Sequence, residues 1–542
     1  MRSAMTGQVA GLAGLVVATA VTVAAAYSVP AHAHANPAAP STNLAIDDCP
    51  ALYALGVQGT GESSPDAAPT TDTGMLSTVF RPLLARAAEP GLVDRAYVPY
   101  EASFGGFTDG GAAPYAESVQ GGLQRLRTMA RQVADRCPGT RLGIVGYSQG
   151  AHVASMFAQE VGLGAGVVPA DRVAAVALFG DPTRNPNAPL FPGSPGKRTP
   201  DPAPGTHGQR LAALPALPPA PAPGGGIGPE RDRAANFAAL TGRVASFCAA
   251  GDLACDAPAD APILRAVANI AGQARISGGD PVTALGSIAE ALAFTSIKTA
   301  AAVVEQDIQG NNPAQLSLAP GKSIAERIAD ASDPRIPLDV DGALRGVLRV
   351  GLIGFNAVVA VLRTVLNPAA LTELATAGLS NPAAGLALLG TKLAGAVPHL
   401  VPPTTVSRLV TQAYDAVVAS VTDHRELLDL TTWVRYWDTA RRHGAYSTAT
   451  VAADGATPTR YVADWFAAVA RDLAEQRAGG ARSGGAGIAG APDGASATPN
   501  AGSAGQFPFG TGADGASSGG VASIPPTVRP GTTDHNYPFS TN

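Results

Sequence analysis

The sequence predicts an α/β fold with a central, mostly parallel sheet, a large all-helical insertion or cap, and a disordered C-terminal tail. Three observations predict it. Apolar strand-like runs alternate with segments of helical period between Leu52 and Phe179, the pattern of a parallel sheet covered on both faces. From about Ala257 to Thr432 the texture changes to Ala-, Leu- and Val-rich helices. Beyond Ala478 the chain is rich in Gly, Ala and Ser without periodicity as far as Asn542, a composition that buries too little to order itself.

The elements follow in chain order. Arg2, an apolar run from Val9 to Tyr27, and the small-residue sites Ala31-His32-Ala33 and Ala33-His34-Ala35 make up the three parts of a secretory signal peptide over 1–35. An uncleaved anchor is the alternative. The mature chain then starts near Asn36, secreted or associated with the cell envelope, with a short structureless leader over 36–48. Leu52–Val57 reads as a strand running into the Gly59-Thr60-Gly61 turn. Ser77–Ala88 and Tyr115–Arg136 have helical spacing. Leu142–Val145 is a short strand and Ala151–Val161 the helix directly after it. Val173–Phe179 is a buried-type strand closed by Gly180-Asp181-Pro182. Residues 183–232 are dense in Pro and Gly and are expected to form an extended, poorly ordered surface excursion. Val244–Phe247 resumes the strand pattern, so the first part of the core covers 49–256.

The insertion, 257–432, has two recognisable helices. One starts at Asp280-Pro281, a cap followed by proline at the first helical position. The other follows Asp341 and stops before Asn367-Pro368. Its polar residues Arg345, Arg349, Asn356 and Arg363 form a narrow stripe on an otherwise apolar helix. That stripe fits burial within a helical subdomain, or contact with a membrane or envelope surface. The last part of the core is expected over 433–477, with a final helix from Thr459, and the tail over 478–542.

Composition excludes several functions. At 542 residues the chain exceeds one compact unit, and 37 Lys plus Arg against 42 Asp plus Glu give a net charge of −5. The basic footprint of a nucleic-acid binder is missing. The four cysteines, Cys49, Cys137, Cys248 and Cys255, have no metal-ligand spacing with histidine, so no metal is expected. In an exported chain they read as two disulfides, with three connectivities open. Gly321-Lys322-Ser323 lacks the first glycine of a phosphate loop, since position 316 is Leu. Gly162-Leu163-Gly164 lacks the third glycine of a dinucleotide fingerprint, since 167 is Val. No cofactor is implied.

The chemistry centres on Gly146-Tyr147-Ser148-Gln149-Gly150. Placed between strand and helix, this pentad is a nucleophile elbow. Its glycines let neighbouring backbone approach the turn, and the helix N-terminus beneath Ser148 favours an oxyanion.

Four features make the sequence resemble the cutinase family of serine esterases, specifically its actinobacterial cutinase-like group. Cys49 lies eleven residues before Thr60, and Cys137 eleven before Ser148. Gly59-Thr60-Gly61-Glu62 matches the family's oxyanion loop. The run Cys248 to Cys255 matches the disulfide loop that presents the catalytic aspartate. The resemblance covers about 45–182, 233–257 and 433–477. It implies the disulfides Cys49–Cys137 and Cys248–Cys255, the catalytic residues Ser148 and Asp252, and an oxyanion hole from the backbone N–H groups of Thr60 and Gln149. Asp181, by the same resemblance, belongs to a structural turn.

The histidine departs from the family pattern. Related proteins place it shortly after the aspartate, yet here the next histidine is His399, 147 residues beyond Asp252. An insertion between acid and base accounts for this. His443, in His443-Gly444-Ala445-Tyr446 before the terminal helix, fits best. His424 is the runner-up, and His399 lies in a Pro-flanked apolar stretch.

The expected function is a secreted serine carboxylesterase, cutinase-like or lipolytic, acting on an ester or lipid substrate. The alternatives are an acyltransferase or thioesterase on envelope lipids, and a non-catalytic cell-wall lipid-binding protein on the same scaffold. The natural ester, its chain length and the oligomeric state are not encoded in any motif.

Overall fold

Five parallel strands form the central sheet in the order β2-β1-β3-β4-β5, with β1 Leu52–Val57, β2 Val93–Tyr97, β3 Arg141–Tyr147, β4 Val173–Phe179 and β5 Val244–Phe247. The computed structural model describes residues 48–105, 111–219, 222–259, 261–274, 281–309, 317–337 and 438–485, with the single positions 44, 46, 339, 412, 415 and 416. Every residue of β1, β4 and β5 is buried, as a parallel strand covered on both faces requires. The register aligns Val57 with Gly146, Tyr147 with Phe179, and Phe179 with Phe247. The carboxyl ends of β1, β3, β4 and β5 therefore open at one edge, where open α/β sheets hold their ligands.

Helices cover both faces. The helix α1, Ser77–Arg86, packs with the long C-terminal helix α8, Pro458–Gly485, over one face, burying Val79, Phe80, Leu83, Trp465 and Phe466. The other face holds α2, Tyr115–Arg136, and α3, Gln149–Gly162. In α2 the residues Val119, Leu123, Leu126, Ala130 and Val133 recur at three- and four-residue intervals, giving one buried stripe.

Three sequence expectations change. Strand β2 has no apolar run in the sequence to mark it. It is an edge strand whose Val93, Asp94 and Arg95 are only half-buried, so it carries charge instead of an apolar run. The 183–232 excursion is not poorly ordered where described. Leu190, Phe191, Ala203, Leu211 and Leu217 are buried with α1 and α8, and the Leu190 carbonyl accepts from Ser246 N–H on β5 at 2.8 Å. The buried Arg184 guanidinium donates to the carbonyls of Ala188, Ala222 and Gly224, satisfying backbone that has no ladder. Finally, α8 continues past Arg477 to Gly485, into the start of the expected tail.

The described part of the helical region after Ala257 has three α-helices and one short two-stranded ribbon. It comprises α4 Pro262–Ala271, α5 Pro281–Ala302, the ribbon β6 Ile308–Gln309 with β7 Ser317–Leu318, and α6 Ile324–Ala331. Ser323 and Glu326 form a capping box on α6, which gives Gly321-Lys322-Ser323 a structural use. By length and a mean hydropathy of 1.4, Ser287–Asp307 is the one described helical stretch apolar enough to cross a membrane. The short helix α7, Thr439–His443, returns the chain to the core. The signal peptide, the stripe of Arg345, Arg349, Asn356 and Arg363, His399 and His424 lie outside the described residues. So does the whole of 486–542.

Candidate active site

Ser148 stands between β3 and α3 with φ 55° and ψ −122°, a strained conformation for a residue with a Cβ. The two glycines of the pentad make it possible. A Cβ on Gly146 would lie 2.5 Å from the Gly150 carbonyl oxygen, and one on Gly150 would strike the carbonyls of Val57 and Gln58. As the first residue of α3, Gln149 carries one of the N–H groups that a helix start leaves without an intrahelical partner. Its side chain is turned inward, donating to Ser103 O at 2.8 Å and accepting from Ser118 Oγ at 3.0 Å.

The candidate acid and base meet Ser148 from two distant segments. His443 Nε2 lies 2.7 Å from Ser148 Oγ, and its Nδ1 lies 2.9 Å from both carboxylate oxygens of Asp252. Asp252 is buried in the Cys248–Cys255 loop, where Oδ1 also accepts from Ala254 N–H at 3.0 Å. Ser148, His443 and Asp252 thus form one continuous hydrogen-bonded chain, the arrangement that lets an imidazole move a proton off a hydroxyl.

The Gly59–Glu62 loop flanks this chain. A Cβ on Gly59 would sit 3.2 Å from Ser148 Cβ, so the loop carrying Thr60 lies directly against the nucleophile. Gly61 has φ +77° and donates to Ala102 O at 2.7 Å. Glu62 holds the turn by accepting from Gly59 N–H at 3.2 Å and Met75 N–H at 3.0 Å. Burial raises the Glu62 carboxyl above its ordinary value, while those two N–H donors and His443 oppose the shift.

A family model described as Cutinase matches residues 49–266. A carboxylesterase, the Culp6 homolog of Corynebacterium glutamicum, is 32% identical over 221 residues, covering 39% of this chain and 67% of that relative. The chain belongs to the cutinase family. It is a cutinase-family serine esterase and a carboxylic ester hydrolase. Cutinase CUT1 of Coprinopsis cinerea is 31% identical over 153 residues, covering 27% of this chain and 66% of the relative. The chain thus spans about two thirds of both relatives. Among solved structures, the catalytic core domain of acetyl xylan esterase from Trichoderma reesei is 21% identical. It covers 45% of this chain and 99% of that one, with a TM-score of 0.27.

Both disulfides of this cutinase-family chain pair as the resemblance implied, Cys49 with Cys137 and Cys248 with Cys255. Asp181 is bound within its own turn. Its Oδ1 accepts from the N–H and hydroxyl of Thr183 at 2.8 and 2.7 Å, which caps the turn after β4. Among the described residues no cluster could hold a metal ion.

Three neighbours of the Ser148–His443–Asp252 chain have no sequence signal of their own. Tyr147 stacks on His443 with ring centroids 5.1 Å apart, and its hydroxyl donates to the His443 carbonyl at 3.1 Å. Gly180, at φ +61°, leaves no room for a Cβ, which would lie 2.9 Å from His443 Cε1. Tyr446 donates to Asp252 Oδ2 at 2.6 Å. Tyr147 and Tyr446 both sit inside motifs read for another residue, and Gly180 closes a strand already recognised.

Proposed function

We propose that this chain is an exported serine carboxylesterase working through a Ser148–His443–Asp252 acyl-enzyme cycle. The observation that carries the reading is His443, whose two ring nitrogens contact Ser148 Oγ and Asp252 at 2.7 and 2.9 Å. Ser148 Oγ attacks the ester carbonyl as His443 Nε2 takes its proton. The N–H groups of Gln149 and Thr60 receive the oxyanion, each worth about 2.7–4 kcal/mol in the barrier. His443 then returns the proton to the departing alcohol, leaving Ser148 acylated. Water, deprotonated by the same nitrogen, attacks the acyl carbonyl, and the acid leaves as Ser148 regains its proton. Asp252 fixes the Nδ1–H tautomer and stabilises the imidazolium.

The domain reading belongs to the same proposal. The hydrolase core is 49–256 and 433–477, the helical segment 257–432 is a cap inserted between acid and base, and 1–35 directs export. The two disulfides support an oxidising compartment. Exposed Phe294 and Ile297 on α5 support an apolar cap that favours long acyl chains and touches an envelope surface.

Hydrolysis of p-nitrophenyl butyrate and palmitate by the mature protein, with Ser148→Ala and His443→Ala, tests the reading. Both variants should lose a factor on the order of 10⁴–10⁶ in kcat. Full activity in His443→Ala would move the base to His424. A preference for butyrate would argue against an acyl-chain cap.

A further inference from the structure

We propose that Tyr446 is a positioning residue for this esterase, its phenol fixing the Asp252 carboxylate against His443 while stapling the histidine-bearing segment to the disulfide loop. The proposal rests on the Ser148–His443–Asp252 reading.

The Asp252 carboxylate has few donors to hold it. Oδ1 accepts from Ala254 N–H, and Oδ2 accepts from the Tyr446 hydroxyl at 2.6 Å. Both oxygens lie equally far from His443 Nδ1, so the imidazole alone does not choose between rotations of the carboxylate. The phenol does. It is itself oriented, because it accepts from Ala249 N–H at 3.2 Å and lies 3.6 Å from Cys255 Sγ. A hydroxyl that accepts from one side of the loop and donates to the other has one rotamer left.

The phenol also stays a donor. Burial, and then the neighbouring Asp252 charge, push its ionisation well above the ordinary tyrosine value, so it carries its proton throughout the working pH range. Its ring is held by Phe179 and Tyr147, at centroid distances of 5.7 and 6.4 Å. Tyr446→Phe keeps that packing and removes only the oxygen, leaving Oδ2 and the Ala249 N–H without this partner.

Two further links bind the same segments. Leu253 N–H donates to Thr439 Oγ1 at 2.9 Å, and the Arg442 guanidinium donates to Ala250 O at 2.7 Å. Tyr446 is the one of the three that reaches the carboxylate. The relation of acid to base is thus set within Thr439–Tyr446, eight residues of returning chain.

The test is kcat and KM across pH 5–9 for wild type, Tyr446→Phe, Asp252→Asn and the double variant. Rates are normalised to the fraction of Ser148 labelled at completion by a fluorophosphonate, and thermal unfolding is recorded for each. The groups facing His443 are Asp252, Tyr147, Ser148 and Glu62, with Tyr446 behind Asp252 and Arg442 beside His443 in the chain. Tyr446→Phe should lower kcat about tenfold with KM unchanged. It should also move the acid limb of kcat/KM to higher pH, because an Asp252 relieved of one donor stabilises the imidazolium more. In the Asp252→Asn background the same change should alter kcat less than twofold. An equal loss in both backgrounds, or a wild-type rate and pH profile in Tyr446→Phe, overturns the proposal. Activity surviving Ser148→Ala would instead overturn the reading on which it rests.

Discussion

Ser148 Oγ and His443 Nε2 lie 2.7 Å apart although 295 residues separate them in the chain. Ser148 is fixed by its strand, and Asp252 by the disulfide loop after β5. His443 instead comes back from the insertion. Its place depends on side-chain links to the disulfide loop and on the Tyr147 ring against which it stacks. The chain leaves the disulfide loop after Asp252 and comes back at α7, so the described segments on either side of the helical region both border the reacting atoms.

Replacing Asp252 by Asn should be far more costly than its small volume change suggests. An amide that turns its N–H₂ to Nδ1 leaves the ring proton on Nε2, which then cannot accept from Ser148, and one that turns its neutral oxygen stabilises the imidazolium far less than the carboxylate does. A fall in kcat of about 10⁴ is expected, with the fold intact. Steady-state kinetics beside a far-ultraviolet spectrum would show it. A loss under tenfold would remove Asp252 from the mechanism.

Gly180→Ala isolates the room around the imidazole. The residue has φ +61°, and the new methyl would stand 2.9 Å from His443 Cε1 and 3.1 Å from Asp252 Oδ2. The backbone strain alone is on the order of 1–3 kcal/mol. The imidazole must also move off Ser148, so kcat should fall at least a hundredfold while KM changes little. A variant of wild-type kcat with lowered stability would show that only the backbone was strained.

Much of this site was legible because it is local in sequence. The elbow is five residues whose glycines are dictated by the Val57, Gln58 and Gly150 carbonyls, and the Asp252 loop is bracketed by its own cysteines. The buried strands β1, β4 and β5 declared themselves as apolar runs. Strand β2 did not, because an edge strand half in water carries Asp94 and Arg95. Nor did the packed 183–232 segment. Proline and glycine density signals missing ladder bonds, not missing contacts, and the buried Arg184 that compensates has no pattern of its own. Tyr446 and Gly180 matter only through atoms brought close by folding, which no spacing encodes.

The two disulfides should separate stability from activity. Cys49–Cys137 spans 88 residues, for which loop-closure entropy gives about 4–5 kcal/mol, whereas Cys248–Cys255 spans only 7 and restrains the unfolded chain less. Cys49→Ala/Cys137→Ala should unfold at markedly lower denaturant with kcat nearly kept at 20 °C. Cys248→Ala/Cys255→Ala should lose most of its kcat with the smaller loss of stability, since the loop orients Asp252. Urea titration and ester hydrolysis on both pairs check this, and the reverse ranking would refute it.

A second buried histidine–aspartate pair ties the segment after α6 to α3. His152 Nε2 lies 2.9 Å from Asp232 Oδ2 and its Nδ1 3.0 Å from Tyr115 Oη, while Arg335, beyond α6, donates to both oxygens of Asp232. Burial alone would raise the Asp232 carboxyl, yet the bonds from His152 and Arg335 bring it down to about 2. A carboxyl depressed in the folded state adds stability above its ordinary value near 3.8 and loses it as pH falls toward about 2. The contribution is about 2 kcal/mol at neutral pH. Asp232→Asn should destabilise by about 2 kcal/mol at pH 7, because His152 and Arg335 lose this carboxylate while Arg335 keeps its pair with Asp333. Urea unfolding at pH 5 and pH 2.5 should show wild type losing about 1–2 kcal/mol more than the variant over that interval. Parallel losses in the two proteins would mean that Asp232 titrates as an ordinary carboxyl and that the segment after α6 is held by other contacts.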